Sequence, residues 1–244
     1  MSVLVTVPWP NRLVRLSVLA VAATLSSSVL HAQEEEEEEV SPQIWLDYNP
    51  RWTWPSGLEL FGDVGVRTEL LQNGWGRIIV RPGVRGTLGS FRLSGGVGSF
   101  YTSNTDEADR WEIRPFQGIA ATWPSSRIRL DHYLRLEERF EFETTDWALE
   151  ASLRLRYRLQ IQFLWGGIRG AAYWRFIGHA EAFGTLTGEA GQFDEKLRIG
   201  VGIERGFGPQ LRLRVDATWQ KTGLNVFNAP TDDLYIRARV FHAW

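Results

Sequence analysis

The stretch RIRLDHYLRLEERFEF, from Arg127 to Phe142, indicates the fold class because its charged and apolar side chains alternate at every second position. In an α-helix, with a period of about 3.6 residues, these charges would be spread around the whole circumference. In a β-strand, with a period of two, they lie on one face. The pattern therefore predicts a long strand with one polar and one apolar face, whereas strands in soluble domains usually run to about 5–6 residues.

The same alternation returns along most of the chain after Gln43. It is cleanest in three further stretches, 147–163, 211–219 and 234–244. Less regular versions predict strands near 44–54, 58–69, 77–88, 91–101, 110–123, 168–183 and 195–205. The sequence thus predicts about eleven strands, within a range of ten to twelve, in one all-β domain spanning 43–244.

The segments between these strands alternate in length. Short turns such as PSG, LGS, PSS and GFGP alternate with longer polar loops such as LQNGWG, TSNTDEAD and GLNVFNAPTDD. Tight turns on one side and longer loops on the other are typical of up-and-down transmembrane barrels. Because single-chain bacterial barrels have even strand numbers, a count of eleven suggests that one strand has been missed or wrongly divided.

Tryptophan and tyrosine favour a membrane barrel over a soluble one. The chain contains 12 Trp, and many aromatic residues fall near predicted strand ends, where an amphipathic ring suits the bilayer interface. These residues are Trp45, Trp52, Trp54, Trp75, Tyr101, Trp111, Trp123, Trp147, Trp165 and Trp219. The polar faces also carry more arginine than a packed soluble core tolerates, so the apolar face is expected to point outward. Backbone amides in hydrocarbon must all be paired, so the sheet should close on itself.

The N-terminus predicts export. Arg12 and Arg15 precede an apolar run and then small residues ending at Ala32, which is the layout of a secretory signal peptide over 1–32. The apolar run is about half the length that a membrane-spanning helix needs. The following segment, 33–42, is dominated by six consecutive glutamates and is predicted to be disordered, because like charges repel and bury nothing.

The overall composition excludes several other classes. The formal net charge is −2, which gives no bulk electrostatic reason to expect nucleic acid as a partner, and the absence of cysteine excludes disulfides and thiol chemistry. No cluster of histidine and carboxylate residues has the spacing of a metal site, so no metal or cofactor is expected. Glycine-rich stretches near Gly95 and Gly200 lead into strands, whereas phosphate-binding loops lead into helices.

Several short motifs resemble a known family. The last strand, LYIRARVFHAW, is similar to the C-terminal strand signal that the assembly machinery of bacterial outer-membrane barrels reads, with Trp244 at its end, although His242 departs from the usual pattern. The segments QIWLDY, EIRPFQGI and RLEERF resemble a family of bacterial outer-membrane barrel proteins known only as a domain of unknown function. The resemblance implies a Gram-negative outer-membrane location, with membrane lipid and lipopolysaccharide as surroundings, and brings no agreed activity.

Arginines dominate the predicted lumen, where basic residues outnumber acidic ones. The candidate anion-binding residues are Arg81, Arg114, Arg129, Arg135, Arg154, Arg156, Arg158, Arg175, Arg212, Arg214, Arg237 and Arg239. Two functions remain open: a small porin-like pore or solute-binding barrel that favours anions, or a structural envelope barrel whose lumen is filled by its own side chains. Barrel size does not decide between them, because ten to twelve strands make a lumen only slightly wider than one that side chains can fill.

Catalysis is the less favoured alternative. An outer-membrane lipid hydrolase needs a histidine beside a serine nucleophile. His132 is predicted to face lipid, His242 belongs to the terminal strand, and His179 shares the inner face with Glu181 but has no evident nucleophile. The sequence therefore predicts no enzyme activity and no catalytic residue.

The acidic run Glu34 to Glu39 suggests a separate hypothesis: that it covers the periplasmic mouth of the barrel and competes with anions for the lumen.

Overall fold

A computed structural model describes residues 40–70, 74–105, 107–124, 127–165, 172–187, 196–223 and 231–244. Within these ranges the chain forms eleven strands and no helix. The strands are β1 (Ser41–Thr53), β2 (Glu59–Glu69), β3 (Gly76–Leu88), β4 (Phe91–Ser103), β5 (Arg110–Pro124), β6 (Ile128–Glu143), β7 (Leu149–Trp165), β8 (Tyr173–Thr187), β9 (Lys196–Gly206), β10 (Leu211–Thr222) and β11 (Thr231–Ala243).

The predicted all-β barrel is confirmed. The predicted signal peptide, 1–32, and the acidic run Glu34 to Glu39 lie outside the described residues. In the part of the chain that the structure describes, no helix is long and apolar enough to cross a bilayer.

The strands form one closed barrel in chain order. Every strand pairs antiparallel with its neighbours in the chain, and β1 pairs with β11 in parallel, from Ser41 opposite Asp233 to Arg51 opposite Ala243. Strands that alternate in direction leave the first and the last running the same way when their number is odd, so the closing ladder must be parallel. The suggestion that a strand had been missed or wrongly divided is therefore wrong.

The two ends of the barrel differ. At one end, here called the short-turn end, the connections include 89–90, 125–127 and 207–210; at the other, the long-loop end, they include 188–195 and 223–230. Gly89 and Gly208 adopt positive φ angles of 58° and 116° in the short turns, a conformation that glycine adopts without steric cost. Strand β1 begins at the long-loop end, and β11 finishes at the short-turn end.

The apolar side chains face outward. Leu213, Val215 and Val201 on the outer face are exposed, while the residues that alternate with them in β10, such as Arg214 and Asp216, are buried inside. The outer face is fringed at both ends by exposed aromatic rings. These include Trp52, Tyr101, Trp111, Trp123, Trp147, Trp165, Trp174 and Trp244.

Trp45 is an exception among the residues assigned to the bilayer interface. It shares the inner face of β1 with Gln43 and Asp47, and only 3% of its surface is exposed. Its indole stacks on the Tyr235 ring with centroids 3.7 Å apart, and the Arg67 guanidinium lies 3.8 Å from its centroid. The expectation that Trp45 marks a membrane interface is wrong, because the parity of its position in the strand points it into the barrel.

Candidate functional site in the barrel interior

All twelve arginines predicted to line the lumen do face the interior. Ten of them border one cavity and five border a second, smaller cavity, with three shared between the two. The larger cavity, of about 310 Å³, is bordered by Arg81, Arg129, Arg135, Arg156, Arg158, Arg175, Arg212, Arg214, Arg237 and Arg239. The smaller, of about 80 Å³, is bordered by Arg81, Arg114, Arg154, Arg156 and Arg237.

The two cavities lie toward opposite ends of the barrel. The larger contacts Arg129, near the start of β6, and Gln210, in the turn before β10, which places it at the short-turn end. The smaller contacts Arg77 and Lys196, at the starts of β3 and β9, which places it at the long-loop end. Arg81, Arg156 and Arg237 border both cavities, which places these side chains in a layer between them at mid-height.

Glu137 is the centre of this layer. Its side chain is completely buried, and it accepts hydrogen bonds from Arg135 Nη1 at 3.1 Å and from Arg154 Nε at 2.9 Å. A third guanidinium, of Arg114, approaches to 3.7 Å while binding Glu112 through Nε at 2.7 Å and Nη2 at 2.6 Å. Removing charges from water is costly unless they are paired and hydrogen-bonded, and here both conditions are met.

Two further groups of ion pairs complete the layer. On the side of β1 to β3, Asp63 binds Arg81 through Nε at 2.9 Å and Nη2 at 2.5 Å. Across the closing seam, Arg237 Nε donates to Asp47 at 2.5 Å. These pairs connect β3 to β2 and β11 to β1. Charged side chains therefore link neighbouring strands, including the two that close the barrel.

Glu181 holds the remaining side of the layer. It accepts a hydrogen bond from Arg156 Nη2 at 2.6 Å, and Arg158 and Arg198 approach it to 3.7 and 3.6 Å.

Aromatic rings fill the space between the ions. The Arg135 guanidinium carbon, for example, lies 4.3 Å from the centroid of the Phe116 ring. Rings of this kind provide apolar packing and attract a cation through their faces.

The strand period placed most of the buried carboxylates correctly. Glu137 shares the polar face of the stretch 127–142 with Arg135 and Arg139, and Glu181 shares the inner face with His179, and both carboxylates are buried. Asp47, which is also buried in the interior, was not assigned there from the sequence.

The three histidines of the barrel lie on three different strands, β6, β8 and β11. His132 points outward and shares a 2.7 Å hydrogen bond between its Nδ1 and the Tyr157 hydroxyl. His242 lies 3.1 Å from the Tyr48 hydroxyl on the outer face. His179 faces inward, with Thr218 Oγ1 at 3.5 Å. Within the described ranges, no group of three or more histidine or acidic side chains is placed to hold a metal ion.

The chain end is tied to the closing seam. Trp244 is half exposed on the outer face at the short-turn end, with its ring centroid 4.0 Å from that of His242. Its backbone N–H donates to the Arg51 carbonyl at 3.0 Å, and the N–H of Ala243 donates to Gln210 at 2.8 Å. The predicted assembly-signal residue therefore extends the pairing of β11 with β1.

A loop at the long-loop end shows a separate polar arrangement. Asp109 accepts hydrogen bonds from the Tyr101 hydroxyl and from the backbone N–H of Asn104. These donors stabilise the ionised carboxylate and lower the pKa of Asp109 below its ordinary value. The carboxylate of Asp109, which is ionised at neutral pH, thus holds the start of β5 against Tyr101 and Asn104 at the end of β4.

These features define the molecule as a closed eleven-stranded β-barrel with an apolar outer face and an ion-paired interior. The chain belongs to the family described as "Protein of unknown function (DUF2490)", which matches residues 42–228. The match agrees with the resemblance that the strand motifs suggested. No curated protein matches the sequence.

Proposed function

We propose that this protein is an integral outer-membrane barrel of a Gram-negative bacterium, with a lumen that is closed at mid-height and accepts small anions from one end. The observation that carries the proposal is Glu137, which is fully buried between two cavities and held by Arg135 and Arg154. Within the first function open from the sequence, a pore or a solute-binding barrel, this layer favours binding over conduction. The second, a structural barrel filled by its own side chains, agrees with the layer but leaves the two arginine-lined cavities unfilled. The proposal includes no catalytic activity and no cofactor.

The outer face supports the membrane location. The strands contain 11 to 17 residues, at least the roughly 9–11 that a tilted strand needs to cross hydrocarbon. Trp123 and Trp165, which are 64% and 62% exposed, flank this apolar band at the short-turn end, as aromatic girdles do in outer-membrane barrels. Membrane lipid and lipopolysaccharide would then contact the barrel wall, and the barrel assembly machinery would insert it.

Refolding tests the membrane location. The mature chain, refolded in detergent, is expected to be rich in β-structure and to migrate differently on gels before and after boiling, because closed barrels resist unfolding. It should also insert into lipid vesicles. A chain that stays soluble and folded without detergent would overturn the membrane location.

Planar-bilayer recordings test the closed lumen. The native barrel is expected to give no steady openings. A triple variant, Glu137→Ala with Arg135→Ala and Arg154→Ala, removes the buried carboxylate together with both arginines that donate to it, and it should produce measurable openings. Steady conductance of the native protein would contradict a lumen closed at mid-height and would favour a conducting pore.

A further inference from the structure

We propose that the larger cavity, here called the cup, is a binding site for a small free solute that carries two or more phosphate or carboxylate groups. The inference deepens the proposed function by naming the end of the barrel, the residues and the ligand class. It rests on the lumen being closed at mid-height, and it does not depend on the cellular location of the barrel.

The cup has a large excess of positive charge. Among the described residues, thirteen arginines border it. The carboxylates within 4.0 Å of those arginines in the same part of the chain number eight: Asp47, Glu59, Asp63, Asp131, Glu137, Glu181, Glu204 and Asp216. The arginines of the cup therefore outnumber these carboxylates by five, and a low-dielectric wall strengthens the positive potential that the excess creates.

The shortage of carboxylates is visible in individual contacts. Glu204 serves two arginines at once, with Arg175 Nη1 at 2.8 Å and Arg212 Nη1 at 3.5 Å from the same oxygen. Arg92 and Arg239 have no carboxylate within 4.0 Å among the residues that the structure describes. An external anion would complete the partial coordination of these side chains.

Arg239 is the clearest unsatisfied donor. It lies directly opposite Arg214 in the β10–β11 ladder, so two like charges face each other across the strands. Arg214 is bound to Asp216 through Nε at 2.6 Å, whereas Arg239 Nε is buried with no hydrogen-bond partner among the described residues. A buried donor without a partner is costly, and a bound oxyanion would supply the acceptor.

The geometry of the cup selects the ligand class. Guanidinium groups bind phosphate and carboxylate through paired N–H donors, so several of them together favour a ligand with several such groups over a simple halide. Gln160 adds a neutral amide donor to the wall. The volume of about 310 Å³ is at the small end of the range for ligand pockets, which suits a solute of metabolite size.

The test is a calorimetric titration of the refolded mature barrel with inorganic pyrophosphate at low salt, with citrate as the carboxylate counterpart and acetate as the single-charge control. Pyrophosphate, citrate or both are expected to bind, acetate is not, and the affinity should fall as ionic strength rises. The double variant Arg212→Gln with Arg239→Gln should lower the affinity by about tenfold or more, the effect of losing charge-assisted hydrogen bonds. Arg92→Gln, at an exposed position without an ion pair, is a second variant that should weaken binding without disturbing the fold.

Arg205→Gln is the matched control. Arg205 is near the same end of the barrel but on the outer face, with its guanidinium 4.8 Å from the Trp174 ring centroid. Its substitution should leave the affinity unchanged. If neither pyrophosphate nor citrate binds, or if Arg205→Gln weakens binding as much as the cup variants do, the proposal is overturned. A native barrel that conducts ions but still binds pyrophosphate or citrate would refute the closed lumen and leave the binding site standing. A barrel that gives no conductance and binds neither ligand would refute the binding site and leave the closed lumen standing.

Discussion

Glu137 and Glu138 are consecutive residues with opposite environments. Glu137 points into the barrel, where it is completely buried among guanidinium groups. Glu138 points outward in β6, where it accepts a 3.5 Å hydrogen bond from the Gln117 amide. A carboxylate on the inner face of the strand thus stabilises the barrel through its ion pairs. A carboxylate on the outer face destabilises the barrel if that face meets hydrocarbon.

This pair gives a prediction with its own control. Glu137→Gln should destabilise the barrel by about 3–5 kcal/mol, because it leaves Arg135 and Arg154 buried without their counter-charge. Glu138→Gln should have no destabilising effect in lipid vesicles, and Glu138→Leu should stabilise the barrel by about 1 kcal/mol. Urea unfolding in vesicles, followed by tryptophan fluorescence, measures all three.

The prediction fails if the two substitutions to glutamine cost the same. Equal losses in the free energy of unfolding would mean that Glu137 contributes no more to stability than an exposed carboxylate. The ion pairs of Glu137 would then not stabilise the layer that closes the lumen. A loss on replacing Glu138 with leucine would instead argue that the outer face meets water or a polar partner.

Strand positions could be predicted from the sequence because alternation is a local signal. The predicted strand 211–219 and the stretch Arg127–Phe142 fall within or almost within β10 and β6. The parallel closure could not be predicted, since pairing between β1 and β11 depends on residues about 190 positions apart and leaves no local pattern. The inward arginines followed from the strand period, but their partners depend on the register of several strands.

The end of β11 gives a prediction at the level of the element. If the protein is the outer-membrane barrel proposed above, deleting Trp244 should lower the amount of folded barrel in the outer membrane of cells, because the assembly machinery of such barrels reads the last strand. Refolding in detergent should change little, since the deletion removes one backbone donor to Arg51 and one exposed ring, and a single hydrogen bond contributes about 1 kcal/mol. Heat-modifiable migration of membrane fractions and of refolded protein measures the two effects.

A second exposed tryptophan at the same end provides the comparison. Trp123→Ala removes a ring that is 64% exposed but lies in β5, away from the chain end. It should leave membrane levels close to those of the native protein. Equal membrane levels for the native protein and the Trp244 deletion would rule out a role for this residue in assembly.

At the scale of the whole molecule, an odd number of strands places the two ends of the barrel chain at opposite mouths. Ser41 begins β1 at the long-loop end, and Trp244 follows β11 at the short-turn end. In known outer-membrane barrels the short turns face the periplasm. The described barrel therefore begins at the long-loop mouth, and the expectation that the acidic run Glu34 to Glu39 covers the periplasmic mouth stays a prediction, because that run lies outside the described residues.

The long-loop mouth has its own charge imbalance. Among the described residues, eleven basic side chains and only two carboxylates, Glu112 and Glu141, border the smaller cavity. The mid-height layer separates this cavity from the cup. An acidic segment that acts here would compete with anions at the long-loop mouth without reaching the cup.

Removing residues 33–39 tests this arrangement. At low salt, the shortened barrel is expected to bind a second, weaker equivalent of pyrophosphate at the long-loop cavity, because the competing glutamates have been removed. The affinity of the cup should stay unchanged, since Ser41 and the short turns lie at opposite ends of the barrel. The second equivalent should disappear near 1 M salt, where charges are screened beyond about 3 Å. A matched variant with Glu34 to Glu39 replaced by glutamine should reproduce the deletion if charge is the cause, and an unchanged stoichiometry in both would leave the segment as a solvated leader.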